Sequence, residues 1–128
     1  MGGRVTKTST KKRVDRLWSK VVREQAGNKC EVCGVSGEVK VLNAHHYIGR
    51  KNMRLRWELF NGVSLCYQHH VGGKESAHED IEWWKAWFKE NRGEDLKLIK
   101  SVKNEIQKWT IEGYKEKLEE LQEELEAK

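Results

Sequence analysis

The sequence contains no proline, only three cysteines and no long run of apolar residues. Spanning a bilayer takes roughly 20 consecutive apolar residues, and no segment approaches that length. The N-terminus is basic but lacks the apolar stretch of a secretory signal. We therefore expect a cytoplasmic protein with no membrane partner. Because proline is absent, glycine is the main residue available to interrupt helices and strands.

The cysteine content argues for metal binding rather than for disulfides. The three cysteines are Cys30, Cys33 and Cys66, an odd number that includes a Cys-x-x-Cys pair. Disulfides are rare in reducing compartments, where such a pair is more typical of a metal site.

Charge is unevenly distributed along the 128 residues, whose formal net charge is +5. Residues 1–23 contain eight Lys or Arg and one Asp, and residues 39–57 contain five basic residues and no acid. Residues 112–128 contain seven Glu and three Lys. This asymmetry favours nucleic acid as a partner over a solvated surface with ordinary charge scatter. The apolar content of 37% predicts one domain with a modest core rather than global disorder.

The N-terminal half predicts one helix followed by two short strands. We expect residues 1–9 to form a flexible basic arm and Thr10 to cap a helix that covers Lys11 to about Gln25. Strands are predicted at residues 39–46 and 63–65, on either side of a polar, basic loop. The predicted fold class is therefore α+β, mainly helical.

The C-terminal half predicts further helices. The pattern Ser76-x-x-Glu79 is typical of a helix start, and Gly93 is expected to end that helix. Residues 94–128 then form a helical extension, with a break expected near Thr110 to Gly113. Its apolar seam is expected to pack within the chain rather than in a homodimer, and consists of Tyr114, Leu118, Leu121 and Leu125. Core packing rather than base stacking is expected for Trp83, Trp84, Trp87 and Phe88.

Two pairs of ligands with matching gaps predict a structural zinc site. Cys30-x2-Cys33 and Cys66-x2-His69 are separated by 32 residues, and each gap lets a tight turn point both side chains at one ion. Four such ligands suit the closed, tetrahedral geometry of structural zinc. The adjacent His70 is an alternative fourth ligand, but His69 repeats the spacing of the first pair.

A second group of residues resembles the HNH endonuclease family. Fourteen residues separate His46 from Asn61, and eight separate Asn61 from His70. The segment from Asn61 to His70 is similar to the family's Asn and Cys-x-x-Cys-His run, with His69 in place of the second Cys. The resemblance covers about residues 28–92. It extends to small phage nucleases such as the NinG/Rap recombination endonucleases, which would act in the host cytoplasm.

This resemblance implies a ββα-metal core, stabilised by the zinc site, in a nuclease domain at residues 10–93 with flanking N-terminal and C-terminal helices. It implies that His45 and His70 bind a catalytic divalent ion such as Mg²⁺ or Mn²⁺. It also implies that His46 is the general base and that Asn61 orients it. The family often supplies a third ligand four residues after the last motif histidine, where this chain has Lys74. We expect the glycines that follow His70 to fold the chain back so that His78 completes the site, although His78 could equally be a surface residue.

Four basic residues in the loop are expected to contact DNA phosphates, or else to form a solvated surface: Arg50, Lys51, Arg54 and Arg56. The sequence thus predicts a metal-dependent endonuclease that hydrolyses DNA phosphodiester bonds to 5′-phosphate and 3′-hydroxyl ends, as the resemblance implies. The alternative is a zinc-stabilised DNA-binding or adaptor module without catalysis.

Overall fold

The computed structural model describes residues 6–127. Within this range, four α-helices, a short 3-10 helix, a π-helical turn and one two-stranded antiparallel sheet form an α+β fold that is about half helical. The elements, in chain order, are α1 (Lys7–Gln25), β1 (Leu42–His46), β2 (Gly62–Cys66), α2 (Ile81–Asn91), α3 (Gly93–Val102) and α4 (Ile111–Glu126). No helix within the described range is long and apolar enough to cross a membrane.

Helix α1 begins four residues earlier than predicted. Thr6 is its N-cap, and its side chain accepts a hydrogen bond from the backbone of Ser9, whose own side chain accepts one from the backbone of Thr6. Thr10 is buried inside the helix, where its hydroxyl donates to the Thr6 carbonyl. Residues 7–9 of the predicted arm are therefore helical, while residues 1–5 lie outside the described residues.

The two strands pair in a register that sets the positions of the histidines. His45 lies opposite Val63, and His46 lies opposite Gly62. Strand β1 begins only at Leu42, and the preceding Val39 and Val41 are largely exposed. Since successive side chains of a strand point to opposite faces, His45 and His46 face different parts of the molecule.

Helix α2 begins later than predicted. The Ser76 hydroxyl accepts from the backbone of Glu79 and closes a turn, and Asp80 then caps the helix by accepting from Trp83 N. The helix ends at Asn91 with Arg92 as its C-cap, directly before Gly93 as predicted, and Gly93 is also the first residue of α3.

The core consists of two clusters. The first packs the sheet and the cysteine turn against α2 and α3, and it includes Cys30, Leu65, Trp84, Phe88 and Ile99, with Trp83 and Trp87 at its margin. The second lies between α1 and α4. There the predicted seam of α4 packs on α1, and its members Tyr114 and Leu121 are fully buried with Trp18 and Trp57.

Candidate metal centres

Three cysteines and one histidine converge beside the first core cluster. The Cys33 and Cys66 sulfurs are 3.8 Å apart. The His69 Nδ1 atom lies 3.4 Å from the Cys66 sulfur and 3.8 Å from the Cys30 sulfur. A tetrahedral ion with metal–sulfur bonds of about 2.3 Å has ligand atoms about 3.8 Å apart. The cluster could therefore hold a metal such as zinc, and its three thiols are free.

The turn around the first pair of ligands is built for this geometry. Gly34 has a φ of 78°, a left-handed conformation that glycine adopts without strain, and its N–H donates to the Cys30 carbonyl at 2.8 Å. Burial raises the pKa of the Cys30 thiol, but hydrogen bonds from the backbone around Cys33 and Cys66 outweigh it and lower the pKa. A lowered pKa favours the thiolate, which is the form that binds metal.

Glu31 anchors this turn to the rest of the fold, and spacing alone did not single it out. Its carboxylate accepts from Ser64 N on β2 at 2.7 Å and from the Arg92 guanidinium at 2.9 Å. The Glu31 N–H donates to the Ser64 carbonyl at 2.8 Å. The cysteine turn is thereby tied both to the sheet and to the junction of α2 with α3.

A second group of possible ligands consists of His45, His70 and His78. One ring nitrogen from each lies within 4.8 Å of the others, and the two Nε2 atoms of His70 and His78 are 3.2 Å apart. Nitrogens bound to one tetrahedral ion at about 2.05 Å would be about 3.3 Å apart. The three rings could therefore hold a single ion.

The chain folds back after His70, which brings His78 into this group. A π-helical turn, Gln68–Gly72, is closed by the Gly73 N–H donating to the Gln68 carbonyl at 2.8 Å. The N–H of His78 then donates to the carbonyl of His70 at 3.1 Å. His69 and His70, adjacent on the same turn, belong to different metal groups, and Lys74 is exposed.

Two of these three imidazoles, those of His45 and His70, have lowered pKa values that favour the neutral form. Burial and the neighbouring histidines lower the pKa of His45 to about 3. The pKa of His70 is also lowered, by burial and by His78. Only a neutral imidazole has a nitrogen lone pair for a metal, so these shifts favour binding.

His46 lies on the other side of β1, outside the three-histidine group. Its ring stacks on Trp18 with centroids 4.0 Å apart, and its Nε2–H donates to the Arg56 carbonyl at 2.9 Å. Burial lowers the pKa of His46 to about 4, with a smaller contribution from nearby arginines. Nδ1 is therefore the nitrogen with a free lone pair at neutral pH.

One cavity joins these residues. It has a volume of about 430 Å³. It is lined by Asp15, Trp18, Ser19, Ala44, His45, His46, Gly49, Arg50, His70 and His78. The cavity thus combines a candidate metal group, a separate neutral imidazole and one exposed arginine.

Asn61 is fully buried next to β2. Its side-chain oxygen accepts from Ile48 N at 2.8 Å, and its amide donates to the carbonyls of Ile48 and Leu55 at 3.0 and 3.1 Å. The hydrogen bonds cross the loop, as expected, but they join the two ends of that loop rather than reaching the His46 ring. Asn61 therefore acts on His46 only through the backbone.

The four basic loop residues differ in their contacts and exposure. Arg54 forms ion pairs with Glu58 at 2.7 Å and Glu105 at 3.0 Å. Arg56 forms a two-pronged ion pair with Asp15 and is 12% exposed. Their guanidinium groups hold the loop to other elements, and the expectation that they contact phosphate stays a prediction. Arg50 and Lys51 are exposed.

The described residues thus contain a Cys3His cluster compatible with zinc and a three-histidine group that could hold another ion. The turn that follows β2 supplies one ligand to each group, His69 to the first and His70 to the second. No family model, curated protein or solved structure matches the chain.

Proposed function

We propose that this protein is a metal-dependent endonuclease of the HNH type, which hydrolyses DNA phosphodiester bonds. The observation that carries the proposal is the cavity in which the imidazoles of His45, His70 and His78 lie close together while a fourth, that of His46, lies apart from them. Hydrolysis of a phosphodiester needs a charge-stabilising ion and a separate proton acceptor. Zinc in the Cys3His cluster would be structural, since that site has no open position.

The donor set suggests which ion the histidine group would take. Imidazole nitrogens suit zinc, nickel, iron and copper, whereas magnesium prefers carboxylate and water oxygens. His45, His70 and His78 offer three nitrogens, and the Mg²⁺ first expected is therefore the weakest candidate. When bound, a divalent ion stabilises negative charge on the phosphate and on the leaving oxygen.

His46 is the proposed general base. Its Nε2–H is engaged with the Arg56 carbonyl, so the remaining nitrogen, Nδ1, can take a proton from an attacking water. Because its pKa is lowered to about 4, the ring is neutral at physiological pH. Arg50 lines the same cavity and is suited to bind a phosphate oxygen, and the exposed Lys51 extends that basic rim.

A second basic rim runs along α1. Lys12, Arg16 and Lys20 are exposed and follow one another at four-residue spacing, which places them along one side of the helix. This row lies next to Asp15 and Ser19, two residues of α1 that line the cavity. A polyanionic backbone would therefore meet positive charge on both sides of the proposed site.

Nicking of supercoiled plasmid tests the proposal. The wild-type protein should cut in the presence of Mn²⁺, Ni²⁺ or Zn²⁺, cut more weakly with Mg²⁺ and stop with EDTA. His46→Ala should bind DNA normally but cut at least about 100-fold more slowly, the scale of losing a general base. His45→Ala should also lose cutting, with partial recovery at high Mn²⁺.

The rival function, a non-catalytic zinc-stabilised DNA-binding or adaptor module, makes a different forecast. In that case wild-type protein and His46→Ala would bind DNA equally and neither would cut it with any ion. Equal cutting by both proteins, with a contaminating nuclease excluded, would remove His46 from the proposed mechanism.

A further inference from the structure

Helix α1 precedes the segment that resembles HNH nucleases, yet it covers one face of the proposed base. The Trp18 ring lies nearly parallel to the His46 ring, at an interplanar angle of 13°. Trp18 is 1% exposed, and its own Nε1–H donates to the Glu58 carbonyl at 3.1 Å. The imidazole therefore rests on an aromatic surface that is itself fixed by packing and by a hydrogen bond.

The close approach of α1 depends on Gly62, which lies opposite His46 in the sheet. A Cβ atom at this position would lie 2.7 Å from Cζ2 of Trp18 and 2.6 Å from Cγ2 of Val22. Any side chain here would therefore push α1 away from the sheet and separate the Trp18 and His46 rings.

A second connection from α1 reaches His46 through Arg56. The Asp15 carboxylate accepts from Arg56 Nε at 3.0 Å, from Arg56 Nη2 at 2.8 Å and from Trp57 Nε1 at 2.8 Å. These bonds fix residue 56, whose carbonyl in turn accepts from His46 Nε2–H. The Asp15 side chain thus holds Arg56, whose carbonyl accepts the hydrogen bond that selects the tautomer of His46.

We propose that Trp18 and Asp15 are positioning residues for His46, so that α1 is part of the catalytic apparatus. This inference rests on the proposed role of His46 as base. Trp18 sets the plane of the ring, and Asp15 holds the carbonyl that keeps the proton on Nε2. Together they keep Nδ1 as the acceptor and remove the rotation that would otherwise turn it away from the attacking water.

The tautomer of His46 provides a test that does not require cleavage. Long-range proton–nitrogen NMR on the intact, zinc-loaded protein should show His46 in the Nε2–H form. Asp15→Asn and Trp18→Leu should convert it to a mixture of tautomers, whereas Trp18→Phe, which retains an aromatic surface, should keep the Nε2–H form. An unchanged spectrum in Asp15→Asn and Trp18→Leu would overturn the inference, even if the protein is a nuclease.

Kinetics on a DNA duplex separate positioning from general stability. Trp18→Leu should lower kcat by about tenfold or more and leave KM within about twofold, because the orientation of the base is lost while the basic residues proposed to bind DNA are unchanged. Asp15→Asn should lower kcat while tightening DNA binding, since a negative charge leaves the cavity. The control Val21→Ala removes buried apolar volume from the same helix but leaves Asp15 and Trp18 in place, and it should keep the wild-type kcat.

A double-mutant cycle completes the test. If Trp18 acts through His46, Trp18→Leu should cause no further loss in the His46→Ala background, where residual cleavage is followed with Mn²⁺. An equal loss in both backgrounds would show that Trp18 acts on the fold alone and would overturn the inference. Absence of cleavage by the wild-type protein would instead refute the proposed function. The NMR measurement of the His46 tautomer would still decide whether α1 positions His46.

Discussion

Alanine at Arg50 and Lys51 is expected to weaken DNA binding, whereas alanine at Arg54 or Arg56 is expected to weaken the fold. The first two residues are exposed, and Arg50 lines the proposed catalytic cavity. The other two are held in ion pairs, with side-chain exposures of 24% for Arg54 and 12% for Arg56. A guanidinium that already binds two carboxylate oxygens has fewer donors left for a phosphate.

The magnitudes follow from the two kinds of contact. Each phosphate contact contributes about 0.9 to the slope of log affinity against log salt, so the double variant of Arg50 and Lys51 should lower the slope by about 1.8. Arg56→Ala removes a partly buried pair and leaves the Asp15 carboxylate with Trp57 alone. Losing such charged hydrogen bonds costs about 1–3 kcal/mol, which for a chain of this length corresponds to a melting temperature lower by roughly 4–12 °C.

Fluorescence anisotropy with a labelled duplex, at several salt concentrations, measures the slope, and thermal unfolding measures the stability. All variants should be made in the His46→Ala background so that the duplex is not cut. Arg54→Ala is the matched control, because it should change stability but keep the slope of the parent. A parental slope for the Arg50 and Lys51 variant, or a reduced slope for Arg54→Ala, would refute this division of the loop.

Three further outcomes are expected. Purified protein should contain about one tightly bound zinc in the cysteine cluster, measured by metal analysis, and Cys30→Ser should lose it together with cooperative unfolding. The free energy of unfolding should be greatest above pH 6.5 and fall as the pH drops towards 4. Burial lowers the pKa of His45 to about 3 and that of His46 to about 4 in the folded protein, so these histidines take up protons first in the unfolded chain. Urea unfolding at several pH values would show this, and His46→Gln should flatten part of the dependence. Leu121→Ala should destabilise the protein by about 2–5 kcal/mol, since the side chain is 2% exposed between α4 and α1; a value near zero would mean that the seam is not packed within the chain.

Most of what the sequence could predict about the two metal groups came from the short spacing between neighbouring ligands. Cys30 with Cys33, and Cys66 with His69, are each brought together by a single turn, so the sequence shows two pairs directly. The assignment of His69 rather than His70 to the cysteines followed from the same spacing, and the structure brings His69 to that cluster. The position of His78 depends on the fold of the turn after β2, and the glycines there indicated a reversal without specifying its geometry.

The roles of the basic loop could not be predicted in this way. Arg56 meets Asp15 across 41 positions of sequence, and Arg54 meets Glu105 across 51. Neither pairing leaves a periodic or local signal, so four similar residues looked equivalent in the sequence. The start of α1 was predicted wrongly for another reason: the cap is Thr6 rather than Thr10, and its position depends on the reciprocal hydrogen bonds between Thr6 and Ser9.

The adjacency of His69 and His70 on one helical turn has a consequence for metal loading. The peptide bond between them is the shortest covalent link between the two groups, so an ion in the cysteine cluster would hold in place the backbone that carries a ligand of the other group. A second ion would then have less backbone to order, and we expect the two binding events to be positively cooperative. By thermodynamic reciprocity, filling the histidine group would raise the zinc affinity of the cysteine cluster by the same factor.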